Sequence, residues 1–119
     1  MTMRSEMRNG CLVMVQDVHS APLLADGKFR VREVYKGGYR FLCPGCGEEH
    51  TYRVGIGEPS WEFNGSLISP TFYPSLIDGR GSEHVCHFFV TNGHIEFERD
   101  CTHALAGKTL VLPEIVARG

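Results

Sequence analysis

The sequence predicts a mainly β protein: a small β-rich single domain with a zinc-knuckle, ribbon-like element and at most one short helix. Three observations predict it. Val85–Thr91 and His94–Arg99 flank Asn92-Gly93, a strong two-residue hairpin signal. Tyr39–Leu42 and Thr51–Ile56, two strand-like runs, stand on either side of Cys43-Pro44-Gly45-Cys46. Between residues 57 and 81, Pro59, Pro70 and Pro74 push Glu58, Ser69 and Tyr73 towards extended backbone, which leaves no room for a long helix.

Length and composition bound the rest. A chain of 119 residues is one domain and can bury a core unaided. Residues 1–10 read as a loose leader and 11–119 as the metal-binding domain. A net charge of −2 argues against generic nucleic-acid binding, which leaves a basic footprint. Five cysteines is an odd number, and their spacing is not that of a secreted disulfide framework. The first ten residues lack the apolar run of a signal peptide, and no window approaches the roughly 18 apolar residues of a membrane span. The expectation is a cytoplasmic protein with no membrane partner, where clustered Cys and His mean metal.

Taken in order, Cys11–Val15 is a short apolar run that reads as a buried strand with a core or surface thiol at its edge. Asp26-Gly27 is a turn. After it Phe29, Val31, Glu33 and Tyr35 share one strand face, and Lys36-Gly37-Gly38 reverses the chain into Tyr39–Leu42. In the Gly- and Pro-rich middle, Asn64-Gly65 is another hairpin signal, and Trp61, Phe63, Phe72 and Tyr73 read as core aromatics under irregular loops. The Asn92-Gly93 turn fixes a register in which Phe88 faces Phe97 and Val90 faces Ile95. Cys86 then points to the core and His87 to the wetter face. Thr102–Ala106 favours one helical turn ended by Gly107, and Thr109–Leu112 is a last strand.

The chemistry-bearing stretch is Cys43-Pro44-Gly45-Cys46-Gly47-Glu48-Glu49-His50. Its tight turn holds two sulfurs on one side, as half of a small zinc site with one ion per chain. A redox role for the Cys-x-x-Cys is disfavoured because no βαβ pattern surrounds it. Cys101 ranks as third ligand, and the fourth place is contested between Cys86 and His87, since neighbours on a regular strand face opposite ways. His50, His103 and Asp100 are expected to support the ligands from outside. If the protein is an enzyme, the available acid–base groups are Asp100, Glu48, Glu49 and His103. Neither a metalloprotease His-Glu-x-x-His nor a Gly-x-Ser-x-Gly elbow occurs.

The ordered blocks CPGCGEEH, WEFNG, PTFYPSL, VCHFFVTNGHIEF and DCTHALAGKTLVLP, within residues 41–113, resemble a family of small phage and prophage proteins of unknown function. Some of its members carry an ammonia monooxygenase label. The resemblance implies a small metal-binding protein in the cytoplasm of a bacterial host, and it favours His87 as a ligand. The function expected is a zinc-binding protein whose zinc is structural and which acts by binding a host or phage protein; enzymatic activity is not the first expectation. Two alternatives are a zinc-dependent hydrolase with a metal-bound water and a nucleic-acid-binding zinc ribbon.

Overall fold

A computed structural model describes residues 3–8, 11–16, 21–55 and 57–115, all of them strand, turn or irregular chain without a helix. The mainly β class is what the sequence predicts. The stretch read as a leader contains β1 (Met3–Arg8), which pairs antiparallel with β2 (Cys11–Gln16). Beyond that hairpin lie two antiparallel sheets. The smaller has the order β3 (Arg32–Tyr35), β4 (Gly38–Leu42), β5 (Glu49–Arg53). The larger runs β10 (Thr109–Val111), β9 (His94–Phe97), β8 (Cys86–Thr91), β7 (Phe72–Asp78), β6 (Glu62–Phe63).

The two sheets face each other through aromatic side chains. Tyr52 of β5 stacks on Phe72 of β7, with ring centroids 4.0 Å apart and planes 4° from parallel. Phe41 of β4 meets Phe88 of β8 edge-on at 5.5 Å. These rings, with Leu76, Val90, Ile95 and Phe97, are buried, so strand alternation places one face of each sheet in a shared core. The middle aromatics do pack against this core: Phe63 stacks on Phe72 at 4.5 Å, and Trp61 meets Tyr52 edge-on at 5.5 Å.

Turn chemistry sets the registers. Asn92, at φ 49°, and Gly93, at φ 78°, take the left-handed backbone that a tight hairpin needs, and Thr91 pairs with His94 as their position dictates. Asn64 behaves differently. Its Oδ1 accepts from the Ser66 and Thr71 amides, so it organises a longer loop between β6 and β7 instead of a two-residue turn. The Thr102–Ala106 segment forms turns and not the helical turn its composition favours.

One buried charge ties the loops together. The Arg30 guanidinium is 4% exposed and is held by both carboxylate oxygens of Asp26, at 3.0 and 2.7 Å, and by the carbonyls of Lys28, Ile68 and Leu112. A cation so enclosed needs every one of these acceptors.

Candidate active site and metal centre

The strands β7 and β8 carry the site. Their pairing runs Asp78 with Cys86, Ile77 with His87 and Leu76 with Phe88, then breaks before Phe72 meets Val90. The break sets Tyr73, Pro74 and Ser75 opposite the single residue Phe89, a bulge in the pairing of β7 with β8. Pro74 has no amide hydrogen to offer a ladder in any case. Within it, the Ser75 carbonyl accepts a hydrogen bond from Trp61 Nε1 at 3.1 Å.

On the outer face of this sheet three side chains meet. Ser75 Oγ lies 3.0 Å from His87 Nε2, and His87 Nδ1 lies 3.1 Å from both oxygens of Asp100. A carboxylate can only accept here, so Nδ1 carries the ring proton and Nε2 presents its lone pair to the serine hydroxyl. Asp100 reaches this position because the chain leaves the ladder after Glu98. Glu98 N–H still donates to the His87 carbonyl at 2.8 Å, but the next rung joins Thr102 N–H to the Val85 carbonyl. The intervening turn folds Asp100 back under the imidazole. Cys101 fastens the same place: its Sγ accepts from the His87 N–H at 3.2 Å and donates to the His87 carbonyl at 3.1 Å.

The opposite face of the same strands carries sulfur. Donor atoms of Cys43, Cys46, His50 and Cys86 lie within 4.8 Å of one another and can hold a metal ion. The Cys43–Cys86 separation is 3.7 Å, and Cys46 Sγ is 3.3 Å from His50 Nε2. Two thiolates at about 2.3 Å from a tetrahedral ion are separated by about 3.8 Å, so these spacings are those of a closed thiolate–imidazole cage. The turn before β5 is built for it, since Cys43 N–H donates to the Glu48 carbonyl at 2.9 Å and Gly47 N–H to the Cys43 carbonyl at 3.0 Å. Gly47, at φ 77°, takes the bend.

Hydrogen bonds sort the two histidines nearby. His50 Nδ1 meets the Asp78 carboxylate, which leaves Nε2 bare and aimed at the thiolates, the arrangement of a ligand. His103 is the reverse. Its Nδ1 accepts from the Leu105 amide at 3.2 Å, so the neutral ring carries its proton on Nε2, which points at Cys86 Sγ from 3.4 Å. That proton suits a donor to a coordinated thiolate and not a ligand. His103 also forms, with Cys86 and Cys101, a second group within 4.8 Å. This group shares Cys86 and has one donor fewer.

The thiols feel this crowding. A hydrogen bond from Cys86 holds the Cys43 thiol well below its ordinary range, and His50 and the amides of Cys46 and Gly45 add to the effect. The same bond, with burial, pushes Cys86 up. Burial alone lowers His50, but its contacts with Cys43 and Asp78 outweigh that and leave it raised.

The structure thus brings Cys43, Cys46 and Cys86 together and adds His50, expected only as a support. The His87 ring faces away from the sulfurs, as strand alternation requires. Cys101 holds the His87 backbone, and Asp100 holds the His87 ring. Glu49 is exposed and pairs with Arg32 at 3.4 Å and Arg40 at 3.6 Å, and Glu48 is exposed beside it; neither reaches the Ser75–His87 pair. The side chain of Cys11 lies outside the described residues. Sequence reasoning missed Ser75 and Asp78. The available signal was the outward face of His87, which left an imidazole beside a metal site with no metal to bind.

The model of one protein family, described as the bacterial ubiquitination-like system serine protease (BubE), matches residues 14–98. The match includes Ser75 and His87 and stops just short of Asp100. No curated protein and no solved structure matches the chain. This overturns the resemblance to phage and prophage proteins, and with it the expected function as a zinc protein that works only by binding a partner. The metal-water hydrolase and zinc-ribbon alternatives fall for the same reason. Blocks rich in Cys, His and Gly report a shared metal-knuckle geometry, which can be built into proteins of different function.

Proposed function

The chain belongs to the BubE family of serine proteases of bacterial ubiquitination-like systems, and on that premise we propose that it is a serine protease with Ser75 as nucleophile, His87 as general base and Asp100 as the carboxylate that orients it. The observation that carries this reading is the bridging of Ser75 and Asp100 by the two opposite nitrogens of one imidazole. Such a constellation is recognised by geometry and roles and not by chain order.

The chemistry follows from the proton positions. His87 Nε2 removes the Ser75 hydroxyl proton as Oγ attacks a substrate carbonyl, and the imidazolium so formed is stabilised by Asp100. The proton then passes to the departing group, leaving an ester on Ser75. Water, deprotonated by the same nitrogen, releases the acid. The triad lies on an open sheet face with half-exposed Ser75 and His87, and a cavity of about 490 Å³ adjoins it, lined by Ile77, Arg80, Gly81, Val85, His87 and Asp100. This shape suits an extended segment of a protein substrate, such as the tail of a ubiquitin-like partner.

One zinc ion per chain fits the cage of Cys43, Cys46, His50 and Cys86, because thiolate and imidazole donors in a closed four-ligand set favour that metal. Its chemistry there is to bind four side chains, away from the substrate's face. The thiol cluster also suits a reducing cytoplasm.

The test is covalent labelling. A fluorophosphonate probe should add to Ser75, located by mass spectrometry, and a ubiquitin-like protein fused through its tail to a reporter should be cut. Labelling that maps elsewhere, or that survives Ser75→Ala, would sink the reading.

A further inference from the structure

We propose that the metal centre is a register lock for the catalytic strands: an ion held by Cys43, Cys46, His50 and Cys86 grips β8 directly through Cys86 and β7 through Asp78 and His50, and so sets the spacing of Ser75 and His87. The inference rests on the protease reading above and concerns how that same site is controlled.

Between the bulge at residues 73–75 and the end of β7, three residue pairs hold the two catalytic strands in register: Leu76 with Phe88, Ile77 with His87 and Asp78 with Cys86. A ladder so short is weakly specified, and a slip of one residue would carry every side chain to the other face. Its inner end is fixed by the buried Leu76 and Phe88. Its outer end is the Asp78–Cys86 pair, after which Gly79 turns the chain away at φ 79°.

Cross-strand partners point to the same face, so Asp78 and Cys86 both turn towards the smaller sheet. There Cys86 joins the sulfur cage and Asp78 binds His50, which joins the same cage. The remaining donors, Cys43 and Cys46, come from the turn between β4 and β5. One ion therefore fastens both catalytic strands to a hydrogen-bonded turn of the other sheet, at the rung adjoining His87. His103, donating towards Cys86 Sγ at 3.4 Å, supports the thiolate on this rung. Without the ion, a single thiol hydrogen bond across 3.7 Å is what joins Cys43 to Cys86, a far weaker tie between the turn and the end of the ladder than two bonds to one metal.

Asp78→Asn separates this lock from a general role in folding, because it leaves all four ligands in place. Loss of a carboxylate behind a ligating histidine lowers metal affinity by about 10-fold to 100-fold. The full-length variant and wild type would be titrated with zinc against a chromogenic chelator, with far-UV circular dichroism to follow the fold. Fluorophosphonate labelling of Ser75 and the ring ¹⁵N signals of His87 would be read at each zinc level. The expected result is a folded variant whose labelling rate and His87 signals follow zinc occupancy and return to wild-type values when zinc is saturating. Labelling and His87 signals indifferent to zinc occupancy would overturn the lock. Global unfolding of the variant on zinc depletion would overturn it too, since the metal would then be a staple for the whole fold. If zinc-loaded wild type fails to label at all, the protease reading has failed, while zinc-dependent His87 signals still report on the strands.

Discussion

Ser75 Oγ and His87 Nε2 are 3.0 Å apart although Ser75 lies in the one stretch where its strand is out of register with that of His87. The bulge is what allows the contact. It lifts Ser75 from the ladder and leaves its hydroxyl free to meet a ring on the neighbouring strand, a common use of bulges beside active sites.

Removal of the serine hydroxyl should abolish cleavage and spare the metal. Ser75→Ala is expected to lower kcat by about 10⁴-fold to 10⁶-fold, in line with nucleophile deletions in other serine proteases. Asp100→Asn should lose at least about 100-fold, because the ring tautomer is no longer imposed. Both should retain wild-type zinc content by elemental analysis, since neither side chain is among the donors proposed for the ion. Zinc loss from either variant would argue that the two centres are not separate.

Trp61 should matter to rate and not to substrate binding. Its Nε1–H bond to the Ser75 carbonyl is worth about 0.5–1.5 kcal/mol, so Trp61→Phe should reduce kcat about twofold to tenfold with KM little changed. Steady-state kinetics on a tail-fusion substrate would check it.

Tyr52 offers a gain in stability. Its ring is fully buried between the sheets, and its hydroxyl has no hydrogen-bond partner among the described residues. A buried hydroxyl left unpaired costs about 1–3 kcal/mol, so Tyr52→Phe should raise stability by a quantity of about that order. Denaturant unfolding with unchanged slope is the measurement, and a destabilised variant would reveal a partner for the hydroxyl.

Acid should weaken the loop clamp at Arg30. The Arg30 guanidinium, helped by the Lys28 amide, holds the Asp26 carboxyl well below its ordinary value. A depressed carboxylate contributes its full stability above the unfolded value of about 3.9 and loses it as pH falls towards the folded value. Asp26→Asn should therefore melt below wild type at neutral pH, and the gap should begin to narrow below about pH 4 and shrink steadily as the pH falls further. A gap independent of pH would show that packing, and not charge, is what the substitution removes.

Much of this was legible in the residues themselves. Asn92-Gly93 announces its hairpin because only such residues accept the required backbone, and the Phe88–Phe97 pairing follows by counting. Cys43-Pro44-Gly45-Cys46 announces a metal turn for a similar local reason. The alternation that sends Cys86 inward and His87 outward was also readable. The nucleophile was not. Ser75 acquires its meaning from three residues bulging against Phe89, a non-local event in a stretch whose prolines suggest only irregular chain. Asp100 was legible as an acid–base group, but its pairing with His87 was hidden in the same way. A regular continuation of β8 and β9 would place Cys86 opposite Arg99, whereas the chain turns after Glu98 and returns Asp100 to His87. His50 was placed outside the ligands because only the Asp78 contact, from a distant strand, reveals which of its nitrogens is free.

The adjacency of Cys86 and His87 has an evolutionary corollary. One strand turns its thiol to the inner side and its imidazole to the outer side, like a printed page whose two sides must stay in order. Side chains elsewhere on β8 can be exchanged by mutation and repaired by repacking. A codon gained or lost inside it would turn the page, sending the imidazole to the metal and the thiol to the substrate. Descendants of this fold should therefore vary in the loops around the strand while its length stays constant.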